Sequence, residues 1–390
     1  ASDVYKRQVK MKKRLLSVVL AAAMAASLAG CVQKPGASGN TDSNSAGTAA
    51  ESGAEAGSSQ EGYELALITD VGTIDDKSFN QGSWEGLEAY AKDNNLTCKY
   101  YKPNEKSDEA CINSINLAVK GGAKVIVTPG FLFEVPIYES QTKYPDIKFI
   151  IIDAEPKSGD DVKIESNVLS IFYAEEQAGY LAGYAAVTEG YTQLGFMGGI
   201  AVPAVIRYGY GFIQGADAAA KEMGLEPGSV SVKYTYVGNF DASPENNAKA
   251  AAWYNEGTEC IFACGGGVGN SVMKAAESAG KVVIGVDVDQ SSESATVITS
   301  AMKNLGDSVY DAVAGYYDGN FEGGKSVTLD AKENGIMLPM ETSKFKVFTQ
   351  EKYDELYEML KDGTIQVAND TVATQASAVP TDIVKVDLIK

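Results

Sequence analysis

Residues 68–87 read ITDVGTIDDKSFNQGSWEGL and contain the end of a strand, a polar loop and the start of a helix. The strand begins in the apolar run at 63–68, which has the composition of a buried parallel strand. In the helix, Trp84, Leu87 and Ala91 recur at helical spacing. Such a loop lies at the carboxyl end of its strand, where open α/β sheets bind ligands. Its polar side chains are therefore candidate ligand contacts, although Asp and Ser also form ordinary turns and caps.

The same alternation of apolar strands and amphipathic helices continues along the chain in two successive series. It predicts an α/β protein with two doubly wound, mostly parallel sheets, each in its own lobe, and a cleft between the lobes. A chain of 390 residues is long enough for two such cores. We expect the folded domain at 61–390, with the first lobe at about 61–168 plus 291–324 and the second at about 169–290 plus 325–390.

Residues 1–30 carry the pattern of a secretory signal peptide, apart from residues 1–10, which precede Met11 and resemble no targeting signal. After Met11 come a basic start and an apolar, Ala-rich stretch that is too short to span a bilayer. The stretch ends in LAGC at 28–31, which resembles the lipobox of bacterial lipoproteins. This resemblance implies that Cys31 becomes the lipidated first residue of the mature protein. A plain signal peptide that happens to contain a cysteine is the alternative.

The composition beyond that point excludes several classes of function. Residues 31–60 are rich in Gly, Ala, Ser and Thr, which predicts a flexible linker. The formal net charge of −19 argues against binding of nucleic acid or anionic lipid by charge alone. The chain contains no histidine, so Ser-His-Asp and Cys-His catalysis and most zinc sites are excluded. No Walker A sequence is present either.

Four cysteines follow Cys31. Cys260 and Cys264 fall in one predicted strand, about 13 Å apart, which is too far for a disulfide. They are expected to act as small core hydrophobes. Cys98 and Cys111 could pair only if a strand end meets the next helix, and the sequence leaves this open.

Another loop after a strand, GGGVGN at 265–270, opens a helix. Asp287 lies about where a dinucleotide fold has its ribose-binding acid, but Asn270 stands in the third glycine position. We interpret the loop as backbone left bare for a ligand, with a plain helix-entry turn as the alternative. The Asp287 carboxylate is suited to bind two hydroxyl groups of a sugar. A helix cap is the alternative role. A calcium loop from Asp287 is excluded, because Ser292 and Ile298 replace its Gly and Glu.

Two aromatic residues occupy corresponding loops of the predicted lobes. Phe79 follows the first strand of the first lobe, and Phe240 follows a strand of the second. Rings that face each other across a cleft would stack on a flat ligand ring from both sides. Either ring alone is more often part of a core.

Six runs of the sequence, in their order along the chain, carry a resemblance to a known protein family. They are TDVGTIDDKSFNQGSWEGL at 69–87, NVLSIFYAEEQAGYLAGYAA at 167–186, GFMGG at 195–199, FIQGA at 212–216, IGVDVDQ at 284–290 and TSAMK at 299–303. Together they resemble the basic-membrane-protein family of ABC-transporter substrate-binding lipoproteins, which includes purine nucleoside receptors. The resemblance extends from about Tyr63 to near Val367.

The resemblance implies a type I periplasmic-binding-protein fold and the capture of a nucleoside, with a purine base expected first, for import. The ligand contacts that it implies are Asp75, Asp76 and Asn80 in the first loop, Phe79 and Phe240 on the two faces of the base, Gly266 through its backbone, and Asp287 with Lys303 on the ribose. The chain departs from the family pattern after Arg207, where Tyr208 replaces the common Phe.

These observations predict a lipid-anchored receptor on the extracytoplasmic face of the cell membrane, which delivers a nucleoside to an ABC permease. It would be a monomer without cofactor, metal, catalytic residues or nucleic-acid partner. A receptor for another polar solute, such as a sugar, is the alternative among binding proteins. An enzyme that uses Asp75, Asp76 and Asp287 is the alternative from another class.

Overall fold

The computed structural model describes residues 62–70 and 72–390. The chain divides into two units, 1–59 and 60–390, and every described residue belongs to the second unit. The predicted signal peptide, the lipidation site at Cys31 and the predicted linker therefore lie outside the described residues.

Strands and helices alternate along most of the described chain. The strands are β1 (Leu65–Ile68), β2 (Cys98–Tyr101), β3 (Val125–Pro129), β4 (Lys148–Ile152), β5 (Lys157–Ser158), β6 (Asp161–Val162), β7 (Val168–Tyr173), β8 (Gln193–Gly198), β9 (Val230–Tyr236), β10 (Cys260–Cys264), β11 (Val282–Asp287), β12 (Val297–Lys303), β13 (Lys325–Leu329), β14 (Ile336–Met337) and β15 (Val384–Leu388). The helices are α1 (Phe79–Asp93), α2 (Asp108–Lys120), α3 (Glu134–Lys143), α4 (Glu175–Thr188), α5 (Pro203–Glu222), α6 (Pro244–Asn255), α7 (Gly267–Ala279), α8 (Leu305–Tyr317) and α9 (Gln350–Lys361).

The strands form two large sheets and one small hairpin. The first sheet has the order β13-β7-β4-β3-β1-β2, and all of its neighbouring strands are parallel. The second has the order β14-β12-β11-β10-β8-β9-β15 and is parallel except for β14, which runs antiparallel to β12. Strands β5 and β6 form the antiparallel hairpin. The predicted α/β architecture with two doubly wound sheets is confirmed.

The central strands are buried on both faces. In β1, Leu65 and Leu67 join the largest hydrophobic cluster, whereas Ala66 and Ile68 pack into a second cluster on the opposite face. This division follows from the alternation of side chains along a strand. Because helices cover both faces of the sheet, the strand reads as a continuous apolar run, as the sequence at 63–68 indicated.

The positions of β12 and β13 differ from the predicted lobe boundaries. Strand β12 lies in the segment 291–324, expected in the first lobe, but it pairs with β11 in the second sheet. Strand β13 was expected in the second lobe, but it pairs with β7 in the first sheet. Strand β7 also stays in the first sheet as far as Tyr173, beyond the expected boundary at 168. A sequence pattern identifies a buried strand, but tertiary packing selects its neighbour, and this explains the difference.

Helices α4 and α5 pack so closely that glycine is required where they touch. A Cβ on Gly211 would lie 1.9 Å from the carbonyl oxygen of Glu176, and one on Gly183 would lie 2.0 Å from a backbone oxygen of α5. This contact holds the start of α4, with Glu175, against the first turns of α5, with Arg207. The two helices thereby bring charged side chains together beside the second sheet.

The cysteines in the described part of the chain are all free. Cys260 and Cys264 are buried in β10, in agreement with their expected role as core residues. Cys98 and Cys111, whose pairing the sequence left open, form no disulfide. Burial raises the pKa of the Cys111 thiol to about 11, so this thiol stays protonated near neutral pH.

Candidate ligand-binding cleft

A cleft of about 250 Å³ lies at the carboxyl ends of the two sheets. Its wall contains residues from the loops after β1, β3 and β4 of the first sheet and after β8, β9, β10 and β11 of the second. The polar loops converge here because parallel strands end at the same edge of their sheet. Open α/β sheets bind ligands at this edge.

The structure brings most of the predicted contact residues into this one cleft. Those on its wall are Asp76, Phe79, Asn80, Phe240, Gly266, Asp287 and Lys303. Asp75 is exposed and is not part of the wall. Its carboxylate accepts a hydrogen bond from the Thr73 hydroxyl, which lowers the pKa of Asp75. The structure therefore places Asp75 off the cleft wall, in a contact within its own loop.

The carboxylate of Asp76 organises the loop after β1. It accepts hydrogen bonds from the backbone N–H groups of Ser78 at 2.9 Å, Asn80 at 3.1 Å and Gln81 at 3.1 Å. The Asn80 amide donates to Asp76 and also to Asp70, both at 2.9 Å. Asp76 thus satisfies free N–H groups at the start of α1, as a cap does.

Phe240 is held in place by close backbone contacts. A Cβ on Gly199 would lie 2.3 Å from Cδ1 of Phe240, so the ring occupies space that only glycine leaves open. The backbone oxygen of Phe240 accepts a hydrogen bond from the N–H of Gly267 at 3.0 Å. Gly266 has a φ of 53°, a left-handed conformation that favours glycine. The glycine run lines the cleft and also leads directly into α7, so bare backbone for a ligand and a helix-entry turn both stay predictions.

Asp287 ends β11 inside the cleft and bridges the two lobes. Its side chain accepts a hydrogen bond from the hydroxyl of Ser78, at the start of α1. Burial raises the pKa of Asp287, although the Lys303 ammonium and the Ser78 hydroxyl oppose this effect. Its φ of 67° is unusual for a residue with a side chain. Such strained positions cluster at functional sites.

Lys303 ends β12 and is almost fully buried. Its ammonium contacts the carboxylate of Asp153 and lies 3.0 Å from Oε1 of Glu175. It also lies 5.0 Å from the ring centroid of Phe79. Asp287 is not among the ion-pair partners of Lys303, although the resemblance groups the two on the ribose. Burial would lower the pKa of Lys303, but the surrounding carboxylates outweigh burial and raise it.

Arg207 completes a buried charge network with these residues. Its Nε donates to Oε2 of Glu175 at 2.6 Å. Burial would raise the pKa of Glu175, but the cations of Lys303 and Arg207 outweigh burial and hold it below its ordinary value. Asp153 differs, since burial raises its pKa to about 7 despite the nearby Lys303. Its Oδ1 is buried without a hydrogen-bond partner among the described residues.

The sequence analysis did not select Asp153, Glu175, Arg207 or Tyr208 as contact residues. The sequence did contain a pattern that could have identified Asp153. This residue directly follows the apolar strand β4, just as Asp287 ends the apolar strand β11. Both residues have positive φ angles, of 59° and 67°. For Glu175 the sequence indicated only an acid that suits the start of a helix. It gave no comparable indication for Arg207.

A profile of the Bmp family, described as "ABC transporter substrate-binding protein PnrA-like", matches residues 63–370. The ABC transporter nucleoside-binding protein BmpA of Lactococcus lactis is 30% identical over 357 residues, which cover 85% of this chain and 93% of that protein. Basic membrane protein B of Borreliella burgdorferi is 29% identical over 290 residues, which cover 72% of this chain and 82% of that protein.

Solved structures with a similar fold include solute-binding proteins of ABC transporters. One from Aeropyrum pernix K1 aligns with a TM-score of 0.69 and 21% identity and covers 81% of this chain and 98% of that one. Another, from Conexibacter woesei, aligns with a TM-score of 0.63 and 22% identity and covers 78% of this chain and 99% of that one. These likenesses concern the fold, and they confirm the expected type I periplasmic-binding-protein architecture.

Proposed function

Because the chain belongs to the Bmp family of PnrA-like ABC transporter substrate-binding proteins, as its six runs indicated, we propose that its cleft captures a nucleoside for an ABC permease. The observation that carries this proposal is the pair of aromatic residues. Phe79 and Phe240 come from opposite sheets and line the same cleft. A flat base between two rings gains stacking contact on both faces. The nucleoside-binding relative in Lactococcus lactis supports this choice of ligand.

The charges on the wall favour a neutral solute. Among the described residues, the wall contains two ammonium groups, those of Lys157 and Lys303, and six carboxylates, those of Asp70, Asp76, Glu134, Asp153, Glu155 and Asp287. Both ammonium groups are already ion-paired, Lys157 with Glu134 at 3.1 Å and Lys303 with Asp153. A phosphate group would therefore meet a wall on which carboxylates outnumber ammonium groups, and like charges repel. A nucleoside, with its uncharged base and sugar, fits this wall better than a nucleotide, and the implied purine preference belongs to the same proposal.

We infer that the protein binds without catalysis. The carboxylates that an enzyme would need are engaged in structural contacts, Asp76 with N–H groups, Asp287 with the Ser78 hydroxyl and Asp153 with Lys303. Closure of the lobes on the ligand would then be the whole function. A nucleoside recovered unchanged after incubation with the protein supports this inference, and any reaction product contradicts it.

The proposal includes a lipid anchor at Cys31 on the extracytoplasmic face of the membrane, with the protein acting as a monomer. In the described part of the chain, no helix combines the length and the apolar character needed to cross a membrane. The protein expressed in bacteria should partition into detergent, and Cys31→Ala should move it to the aqueous phase. Since one acyl chain binds only marginally, the mature N-terminus should carry more than one. Mass spectrometry that finds an unmodified Cys31 contradicts the anchor.

Substitution of either cleft phenylalanine tests the proposed ligand directly. Phe79→Ala and Phe240→Ala should each weaken binding of a nucleoside by about 1–3 kcal/mol, roughly fivefold to 150-fold, because one face of the base loses its stacking partner. Phe→Trp should be milder at both positions, since a flat aromatic face is retained. Isothermal titration calorimetry with a panel of purine nucleosides, pyrimidine nucleosides and sugars measures these effects.

Phe321→Ala is the matched control, since Phe321 is also partly buried but is not part of the cleft wall. It should leave nucleoside affinity unchanged. Thermal melts of the ligand-free variants separate binding from folding. Unchanged affinity with a sharply lowered melting temperature in the Phe79 and Phe240 variants would make both rings core residues. Binding of a sugar but of no nucleoside would favour the alternative solute.

A further inference from the structure

Tyr208 lines the cleft and carries a hydroxyl that no other described residue satisfies. The side chain lies on the second turn of α5, is 1% exposed and lines the cleft. Its hydroxyl is buried and has no hydrogen-bond partner among the described residues. An unpaired hydroxyl in such a place is unfavourable unless a bound molecule pairs with it.

Three carboxylates act on this hydroxyl, but none of them accepts a hydrogen bond from it. Carboxylates of Asp287, Glu175 and Asp153 all act on the hydroxyl and, together with burial, raise its pKa. Asp287 accepts from the Ser78 hydroxyl, Glu175 from Arg207, and Asp153 from Lys303. Tyr208 therefore keeps its proton near neutral pH and retains a donor that the protein itself does not use.

The surrounding packing prevents Tyr208 from turning away. A Cβ on Gly179 of α4 would lie 2.1 Å from the backbone oxygen of Tyr208, so the two helices are in direct contact at this residue. The ring lies 5.8 Å from that of Phe262 in a perpendicular arrangement. On another side, Nζ of Lys303 lies 5.6 Å from the centroid of the Tyr208 ring. The Tyr208 ring is thus packed beside Lys303, and Asp287 acts electrostatically on the Tyr208 hydroxyl. The family resemblance associates both Asp287 and Lys303 with the sugar.

We propose that Tyr208 is a specificity-determining residue of the cleft, whose hydroxyl donates a hydrogen bond to a hydroxyl oxygen on the sugar of the bound nucleoside. This inference rests on the proposed function and adds one selective contact to it. A site that hydrogen-bonds a ligand hydroxyl discriminates against the analogue that lacks it, because the buried donor is then left unpaired.

The test is Tyr208→Phe, which keeps the ring and its packing. The purified protein and the variant are titrated by calorimetry with one ribonucleoside and with its 2′-deoxy, 3′-deoxy and 5′-deoxy forms. The unmodified protein should bind the ribonucleoside about tenfold more tightly than the form that lacks the contacted hydroxyl. Tyr208→Phe should bind the ribonucleoside about tenfold more weakly and should lose the discrimination against that one form.

Tyr234→Phe is the matched control. Tyr234 is also about 1% exposed and belongs to the second sheet, but its hydroxyl is bonded to that of Tyr236 at 2.8 Å and it is not part of the cleft wall. This variant should keep all four affinities.

Three results would overturn the inference, each in a recognisable way. If Tyr208→Phe leaves all four affinities unchanged and raises the melting temperature of the ligand-free protein, the hydroxyl is only an unpaired core group. If it weakens all four ligands equally, the hydroxyl does not contact the sugar. If the unmodified protein binds none of the nucleosides, the proposed function fails and this inference fails with it.

Discussion

Lys303→Met should lower the free energy of unfolding by about 3–5 kcal/mol at pH 8, because it removes one partner from a buried network of charges. The ammonium of Lys303 is 2% exposed and contacts both Asp153 and Glu175. Glu175 would keep Arg207 as a partner, but Asp153 would be left as a buried carboxylate without its closest cation. Methionine fills a similar volume, so the loss of unfolding free energy comes from the missing charge rather than from poorer packing.

Two further variants separate this explanation from a general loss of packing. The double variant Lys303→Met with Asp153→Asn should recover most of the stability, since it removes the unpaired charge along with its partner. Lys77→Met is the control for an exposed pair, since Lys77 lies 3.7 Å from Glu293 with 41% of its side chain exposed. It should cost less than about 1 kcal/mol. Urea unfolding of all three variants measures these differences.

The loss in Lys303→Met should also be smaller at pH 5 than at pH 8. The pKa of Asp153 is already raised to about 7, chiefly by burial, and would rise further without Lys303. Protonation at pH 5 would neutralise the carboxylate that the substitution leaves unpaired. A loss of the same size at both pH values would mean that Asp153 is not the source of the instability.

Glu176→Gln should make the protein more stable at pH 8 but not at pH 5. Burial raises the pKa of Glu176 from 4.5 to about 7, and its Oε2 has no hydrogen-bond partner among the described residues. The nearby Glu175 raises the pKa further, whereas the backbone N–H of Glu176, the Arg207 guanidinium and the Asn369 side chain oppose the shift only in part. Ionisation in the folded state is therefore unfavourable. Glutamine has nearly the same shape and carries no charge at any pH.

The sign of the pH dependence follows from proton binding. Between pH 4.5 and about 7, the folded state holds a proton on Glu176 that the unfolded state has released. This group therefore contributes stability below pH 4.5 and loses it as the pH rises through 7. A shift of this size corresponds to about 3 kcal/mol between the two ends of the range. The difference between the unfolding free energies of Glu176→Gln and the unmodified protein should grow by about that amount.

Urea unfolding of both proteins from pH 4.5 to pH 8 measures this difference. Subtracting one free energy from the other cancels the contributions of titrating groups that both proteins share. Glu351→Gln is the control, because Glu351 also lies in the first turn of a helix but is exposed, and its pKa is lowered rather than raised. The unfolding free energy of Glu351→Gln, relative to that of the unmodified protein, should fall rather than rise as the pH increases. Parallel curves for Glu176→Gln and the unmodified protein would mean that the Glu176 carboxyl ionises in the fold at no cost.

Most of the elements could be predicted from the sequence because their patterns are local. The apolar runs at β1, β3 and β4 and the alternating helices determine that parallel sheets form and that their loops converge. The first loop is a good example, since its position after β1 was enough to predict that Phe79 and Asn80 would lie in a cleft. Phe240 and Asp287 were predicted by the same reasoning from the second series.

The contacts between distant parts of the chain were decided only by the tertiary structure. Four segments bring this network together: Asp153 directly follows β4, and Glu175, Arg207 and Lys303 lie on α4, α5 and β12. Nothing in the spacing of these residues reveals that Lys303 pairs with Asp153 rather than with Asp287. The crossing of β12 and β13 between the sheets has the same origin. Local patterns express the conformational preferences of neighbouring residues, whereas strand partners and buried ion pairs depend on which surfaces fit together once the chain has folded.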